Sequence, residues 1–176
     1  MNDDNLDLIK DYARECYRIL KQDTALYMFC SSKTIDIFIP ILRDVGFTIK
    51  NIIVWDKCTR TMGDLTAQFG QSYEFIILCN KGRKCFNGKR LDDIWRFPRV
   101  TGSQQVHQNQ KPIELIRQCI EKHSDPGDLV FDGFMGSGTT AIAAIETGRH
   151  YLGYELDPDY YKVCTRRILD KELEEV

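Results

Sequence analysis

The hydrophobic positions in the first part of the chain follow helix and strand patterns in turn. In residues 6–20 the apolar residues recur every three or four positions, which predicts an amphipathic surface helix. Residues 25–30, ALYMFC, are a short continuous apolar run, which predicts a strand buried on both faces, as in a parallel sheet. Residues 34–45 return to a helical pattern that contains Pro40, and Gly46 is expected to end this helix.

The pattern then changes to strands, and later to a regular alternation. Residues 47–55 and 73–79 are rich in β-branched and aromatic side chains, and we expect two strands that pair antiparallel. Pro112 precedes a helical pattern, as is common at a helix start. From there the predicted elements are helices at 113–122, 138–147 and 158–173 and strands at 129–134 and 151–155. The alternation predicts a single α/β domain with helices on both faces of a sheet.

Composition and charge restrict the class of protein. Hydrophobic residues make up 43% and charged residues 28% of the 176 residues, which excludes a disordered chain, and a net charge of -2 excludes a uniformly basic protein. The seven cysteines are odd in number and never spaced C-x-x-C, so we expect reduced thiols and neither a disulfide framework nor a metal site. Residues 1–11 are acidic, and the chain contains no apolar run approaching the roughly 20 residues that span a bilayer. These features predict a soluble cytoplasmic protein without a membrane partner.

The segment with the most chemical information is FDGFMGSGTT, at residues 131–140. Gly133, Gly136 and Gly138 follow a predicted strand and precede a helix, so that a ligand can approach main-chain N–H groups at the helix N-terminus. Glu155 ends the next strand, 17 residues after Gly138, close to the spacing at which dinucleotide folds place an acid on ribose hydroxyls. The spacing G-x-x-G-x-G differs from that of NAD sites, and the lysine of ATP-binding loops is missing. The pattern predicts a nucleoside-containing cofactor, the alternative being that the glycines only allow a tight turn.

FDGFMGSGTT followed by YLGYELDPDYY resembles the S-adenosylmethionine motifs of the DNA amino-methyltransferases, in particular of their permuted β subgroup. The usual run in that family is D-P-F-x-G-S-G-T-T and then G-x-E, and here Gly133 replaces the proline. The sequence N-Q-K-P at 109–112 resembles the family's QKP motif, and residues 18–29 resemble its R-x-L-K…L-Y-x-F segment. Further matches are Trp55, Lys57 and Glu74.

The resemblance implies a Rossmann-like S-adenosylmethionine-dependent methyltransferase fold, with a mostly parallel sheet and helices on both faces. It implies methylation of the exocyclic amino group of adenine or cytosine in double-stranded DNA. It also implies a set of cofactor contacts at two motifs. The contacts are Asp132, Gly133, Gly136, Ser137, Gly138, Thr139 and Thr140 around the methionine moiety, Glu155 on the ribose, and Gln110, Lys111 and Pro112 at the methionine end.

Basic charge is concentrated in residues 81–100, which hold seven basic and two acidic residues, a local net charge of +5. The resemblance implies a target-recognition segment at 81–106, between a catalytic half at 1–80 and a cofactor half at 107–176. Basic side chains would neutralise phosphates there, and the interleaved aromatic residues Phe86, Trp95 and Phe97 could stack or wedge. The alternative is a solvated basic loop. The predicted DNA contacts are Lys84, Lys89, Arg90, Arg96 and Arg99.

One departure from the family pattern affects both fold and activity. The tetrapeptide D-P-P-Y, which in this family holds the target base, does not occur in the sequence, nor does S-P-P-Y or N-P-P-Y, so we assign no catalytic residue. Its strand would lie between those at 25–30 and 129–134. Either these two strands close up, or a second chain or a homodimer partner supplies the missing one, or the chain is truncated. The alternative functions are a non-catalytic subunit that binds cofactor or DNA, and a methyltransferase acting on another substrate.

Overall fold

The computed structural model of the protein describes residues 6–60, 64–102, 105–107 and 109–174. The chain divides into two compact units, Met1–Arg96 and Phe97–Val176. The first unit contains α1 (Leu6–Ile19), β1 (Thr24–Cys30), α2 (Ile35–Val45), β2 (Thr48–Asp56), β3 (Tyr73–Lys81) and β4 (Ile94–Arg96). The second contains α3 (Ile113–His123), β5 (Leu129–Asp132), α4 (Thr139–Glu146), β6 (His150–Gly153) and α5 (Pro158–Glu174). Part of the acidic segment 1–11, residues 1–5, lies outside the described residues.

The first unit is built on a four-stranded mixed sheet. Its strand order is β1-β3-β2-β4, in which β1 and β2 are antiparallel to β3, and β4 is parallel to β2. The antiparallel pairing of β2 with β3 is confirmed. The expectation that β1 is a parallel strand buried on both faces is wrong, because it pairs antiparallel and only Met28 and Cys30 in it are fully buried. A short apolar run indicates burial, but it carries no information on strand direction.

The helices of this unit follow the predicted periodicity. Ile9, Ala13 and Cys16 of α1 are buried, at the spacing of one helix face. α2 continues through Pro40, and Gly46, at a φ of 115°, ends it by donating its N–H to the carbonyl of Arg43. This left-handed position is accessible to glycine at low cost, which is why the helix ends there.

The second unit follows the predicted alternation of helices and strands. β5 and β6 form a parallel pair, with Leu129 opposite His150 and Asp132 opposite Gly153. α4 is buried nearly all round, with Ala141, Ala143 and Ala144 fully inaccessible. Both strands are shorter than the predicted 129–134 and 151–155. They end at Asp132 and Gly153, just before the residues of the candidate site. The α/β fold class is therefore confirmed, with mixed strand pairing in place of the expected mostly parallel sheet, because both pairings of β3 are antiparallel.

The two strands that flank the missing family strand lie in separate sheets. β5 pairs with β6, and β1 is an end strand of the four-stranded sheet, among the residues the structure describes. The alternative in which the strands at 25–30 and 129–134 close up and pair directly stays a prediction, because one of these strands belongs to each unit. In the same described residues, no helix is long and apolar enough to cross a membrane.

Candidate functional site

The candidate site is centred on residues 133–138, the glycine turn, which joins β5 to α4. Gly136 has a φ of 52° and Gly138 a φ of 81°, both in the left-handed region that favours glycine. A Cβ on Gly138 would lie only 2.9 Å from the Sγ of Cys164, a buried residue of α5. Glycine is required at this position both by the backbone conformation and by the close approach of α5.

Asp132 holds the two ends of the glycine turn together. Its Oδ1 accepts a hydrogen bond from the N–H of Phe134 at 2.9 Å. Its Oδ2 accepts one from the Oγ1 of Thr140 at 2.6 Å. Both carboxylate oxygens therefore bind the chain's own groups, and the described contacts of Asp132 and Thr140 order the turn.

Ser137 and Thr139 point into the protein. They are 3% and 6% exposed, and their hydroxyl oxygens lie 3.4 Å apart. Arg167 of α5 donates to the carbonyl of Ser137 at 2.5 Å, and burial lowers the pKa of this guanidinium. These two predicted cofactor contacts are therefore buried, and a ligand would reach the turn through its main chain.

Glu155 links the glycine turn to the end of β6. Its Oε2 accepts a hydrogen bond from the N–H of Gly136 at 2.7 Å, and its Oε1 accepts one from the N–H of Asp157 at 2.9 Å. A carboxylate offers about four lone-pair positions, so two accepted bonds leave it able to receive further donors. The half-buried Glu155 is thus a fixed acceptor beside the glycine turn.

Asp157, next to this acid, is a helix cap. Its Oδ1 accepts from the N–H groups of Asp159 and Tyr160, at 2.8 and 3.1 Å. It thereby satisfies N–H groups in the first turn of α5 that have no partner within the helix. Its described contacts explain the residue without a ligand.

His107, three residues before the QKP segment, lies next to the glycine turn. The His107 ring lies 4.1 Å from that of Tyr160, between ring centres, and its Nε2 would be 3.6 Å from a Cβ on Gly136. Burial lowers the pKa of His107, and the charge of Glu155 opposes this effect. His107 is not among the predicted cofactor contacts, but its position three residues before Gln110 already indicates a place near the cofactor site, and its ring lies beside the glycine turn.

The side chain of Gln110 is engaged within its own loop. Its Oε1 accepts from the N–H of Val106 at 2.9 Å, and its main-chain N–H donates to the carbonyl of His107 at 3.1 Å. Lys111 is half-buried and Pro112 is buried at the N-cap position of α3. The loop is therefore closed by its own hydrogen bonds beside the glycine turn.

The chemistry of these groups fits an adenosyl ligand better than a metal ion. The fixed carboxylate suits ribose hydroxyls, and the N-terminus of α4 beside the turn suits a ligand carboxylate. No cluster of three or more His, Cys, Asp or Glu side chains that could hold a metal was found in the described ranges. The site thus has the features of a nucleoside site.

The predicted DNA contacts lie in different environments. Lys84 is half-buried, and its carbonyl accepts from the Nδ2 of Asn80 at 3.2 Å. The side chain of Arg96 is 77% exposed and lies 3.5 Å from the carboxylate of Asp56. The other three predicted contacts, Lys89, Arg90 and Arg99, are exposed.

The expectation that Trp95 could stack on DNA is wrong. Its side chain belongs to the core of the first unit and is 7% exposed. Its Nε1 donates to the carbonyl of Asp92 at 2.7 Å, and its ring packs 6.4 Å from that of Tyr27. Phe86, by contrast, is 43% exposed.

Comparison with known proteins agrees with these motifs. The N6/N4 DNA methylase family model matches residues 2–166. The DNA adenine methyltransferase YhdJ of Escherichia coli is 29% identical over 197 aligned positions, which cover 93% of this chain and 66% of YhdJ. The type II methyltransferase M.HinfI of Haemophilus influenzae is 28% identical, with 89% and 49% covered. The crystal structure of the M1.HpyAVI–SAM complex has a TM-score of 0.83 at 26% identity and covers 96% of this chain and 85% of that one. The chain thus spans less than two thirds of YhdJ and about half of M.HinfI.

Proposed function

The chain belongs to the N6/N4 DNA methylase family, and from this premise we propose that it takes part in methylating an exocyclic amino group of adenine or cytosine in double-stranded DNA. S-Adenosylmethionine is the proposed methyl donor, and when bound it supplies an electrophilic methyl group on a sulfonium. M1.HpyAVI, which resembles this chain in fold and sequence, was crystallised with that compound.

The observation that carries the proposal is the carboxylate of Glu155 held beside the glycine turn. The N–H groups of Gly136 and Asp157 fix both of its oxygens, so its remaining lone pairs have set directions. Ribose hydroxyls can donate to these lone pairs. Gln110 and Lys111 stand in the loop next to the glycine turn and are the proposed partners for the methionine end.

The residues of this chain contribute binding and orientation. Asp132 and Thr140 hold the glycine turn rigid through the bonds described above, and Ser137 and Thr139 anchor it from inside. Methyl transfer from a sulfonium needs no covalent nucleophile on the protein, so positioning and exclusion of water are the main contributions expected of the fold.

Calorimetry with S-adenosylmethionine tests the cofactor part of this proposal. In the variant Glu155→Gln an amide replaces the carboxylate, so the charge-assisted hydrogen bonds to the sugar are lost. We expect the affinity to fall by about 10- to 100-fold, since such bonds are worth about 1.5–3 kcal/mol. Glu121→Gln is the matched control, because Glu121 is an exposed carboxylate of α3 in the same unit. Equal affinity of the folded Glu155→Gln variant and the wild type would overturn the assignment.

The proposed DNA contacts are the five basic residues predicted from the sequence. Arg90, Lys89 and Arg96 are exposed in the first unit, as phosphate contacts require. Binding to duplex DNA should therefore weaken steeply with salt, because each neutralised phosphate releases counterions. Duplex affinity that does not change with salt would contradict this part of the proposal.

The target amine also needs groups that this sequence does not contain. We propose that a strand carrying D-P-P-Y, from outside residues 6–174, adds to the sheet beside β5, which is an end strand in the described part of the chain. A different chain that carries D-P-P-Y could supply it, since a second copy of this sequence lacks the tetrapeptide as well. Without that strand, the proposed role is binding of cofactor and DNA.

A transfer assay separates these two roles. Labelled methyl incorporation into duplex DNA is measured with the protein alone, with a peptide that contains D-P-P-Y, and with a matched peptide that contains A-P-P-A. Incorporation only with the first peptide supports addition of a strand in trans. Methyl incorporation by the protein alone would refute the need for that strand. No methyl incorporation in any of the three mixtures would favour a protein that only binds cofactor and DNA.

A further inference from the structure

The loop between β2 and β3, residues 57–72, is closed at its base. The N–H of Lys57 donates to the carbonyl of Ser72 at 2.8 Å. Further out, the aliphatic part of Arg60 packs over Gly70, where a Cβ would lie 3.2 Å from the Cβ and Cδ of Arg60. These contacts fix where the outer part of the loop, described from residue 64, leaves the sheet.

Asp64 organises the outer part of this loop into one helical turn. Its Oδ1 accepts from the N–H and Oγ1 of Thr66 at 2.9 and 2.7 Å and from the N–H of Ala67 at 3.2 Å. Its carbonyl accepts from the N–H of Gln68 at 3.1 Å. These hydrogen bonds, foremost that of the Thr66 hydroxyl, hold the pKa of Asp64 below its ordinary value. The turn is thus ordered by polar contacts.

Two large apolar side chains lie at this turn. Leu65, in the turn, is 83% exposed, and Phe69, two residues after the turn, is fully exposed. A solvent-exposed aliphatic and aromatic pair at an ordered turn is typical of a surface that meets a partner.

Charge at the same edge of the sheet indicates the kind of partner. β4 runs parallel to β2, and its last residue, Arg96, lies opposite Asp56, the last residue of β2. The exposed Arg96 side chain therefore lies at the end of the sheet where the loop between β2 and β3 begins. Arg60 is also exposed in this loop. An apolar tip with guanidinium groups at its base matches a duplex, which has an apolar interior between stacked bases and phosphates outside.

We propose that Leu65 and Phe69 form a wedge that enters between stacked base pairs of the DNA, while Arg60 and Arg96 hold the neighbouring phosphates. This inference rests on the proposed function, because it takes duplex DNA as the substrate. An enzyme that acts on a base amine has to take the base out of the stack, and insertion of an apolar side chain offsets the lost stacking.

An abasic site tests the wedge, because the unstacking there has already occurred. Fluorescence anisotropy gives the affinity of the full chain for a short labelled duplex and for the same duplex with a central abasic site. The wild type should prefer the abasic duplex by about tenfold, the size expected of one base–aromatic stack. Phe69→Ala should bind both duplexes equally, and Leu65→Ala should show a reduced preference.

Three controls make the result specific. Phe69→Trp keeps an aromatic wedge and should keep the preference. Leu173→Ala removes a side chain that is 76% exposed on α5 and should behave as wild type. The slope of log affinity against log salt should be unchanged in Phe69→Ala, since no phosphate contact is removed.

The outcomes distinguish the wedge from the proposed function. If the wild type binds duplex with normal salt dependence but Phe69→Ala keeps the wild-type preference, the wedge is refuted and DNA binding stands. If the wild type binds no duplex, DNA as substrate fails and the wedge with it. If Leu65→Ala and Phe69→Ala change only the sedimentation mass, the pair faces a second copy of this chain, and the wedge is again refuted.

Discussion

Replacing Gly138 by alanine tests the packing of the glycine turn. At a φ of 81°, any residue with a Cβ is strained in the left-handed region, by about 1–2 kcal/mol. The new Cβ would also lie 2.9 Å from the Sγ of Cys164 and 3.5 Å from its Cα and carbonyl oxygen, inside a buried contact. Overpacking of this kind costs about 1–3 kcal/mol. Together the two effects should lower the free energy of unfolding by about 2–5 kcal/mol, a large fraction of the stability of an ordinary domain.

Two further variants separate strain from contact. Gly127 has a comparable φ of 87°, but nothing lies within 4 Å of a Cβ at this position. Gly127→Ala should therefore lower the free energy of unfolding only by the backbone strain of about 1–2 kcal/mol. In a Cys164→Ala background the sulfur is gone, and Gly138→Ala should then cost nearly the same as Gly127→Ala. Urea titrations followed by circular dichroism give all of these free energies, and calorimetry reports whether S-adenosylmethionine binding weakens in parallel.

Equal stability of the two glycine variants would show that the contact with Cys164 has no energetic effect. A Cys164→Ala background that does not reduce the cost of Gly138→Ala would contradict the steric explanation as well. In that second case the strain would come from the backbone alone, and the close approach of α5 would not explain the glycine.

Three other measurements address the site and the basic segment. Thr140→Val removes the donor to Asp132 and leaves a half-buried carboxylate oxygen without its partner, so urea unfolding should show a loss of about 1–3 kcal/mol. Burial lowers the pKa of His107 in the folded protein below its unfolded-state value near 6.5. The stability that depends on neutral His107 is therefore fully present above about pH 6.5 and is lost as the pH falls through the folded-state pKa. In urea titrations below about pH 6.5, the wild type should lose more stability than His107→Gln. Arg90→Gln should reduce the salt slope of duplex binding by about 1, whereas Arg14→Gln, a change in an exposed residue of α1, should leave it unchanged.

The sequence predicted the elements of the second unit well because their signals are local. Pro112 stands at the start of α3, the buried alanines of α4 follow the glycine turn, and the short apolar runs become β5 and β6. The acid at Glu155 could be predicted from its spacing alone, since a strand, a turn and a helix of ordinary length bring it back beside Gly136.

Features that depend on individual partners could not be predicted in this way. The direction of β1 depends on its pairing with β3, which lies more than 40 residues away in the sequence. Asp132 is a plausible ligand contact in any strand-to-turn motif, and only the structure shows that Phe134 and Thr140 occupy its oxygens. Trp95 lies in a basic segment, yet its ring is buried, because three residues of β4 join the sheet.

The fixed carboxylate beside the glycine turn also bears on which nucleotides the site would accept. Two main-chain donors hold the Glu155 side chain, so its rotational freedom is lost during folding and not at the moment of ligand capture. A sugar with free hydroxyls can donate to this stationary anion at little entropic cost. A ribose with a phosphate in place of one of these hydroxyls would bring a second negative charge close to the Glu155 carboxylate, which its two main-chain hydrogen bonds prevent from moving away. The N–H groups of Gly136 and Asp157 thus make the site select against phosphorylated ribose.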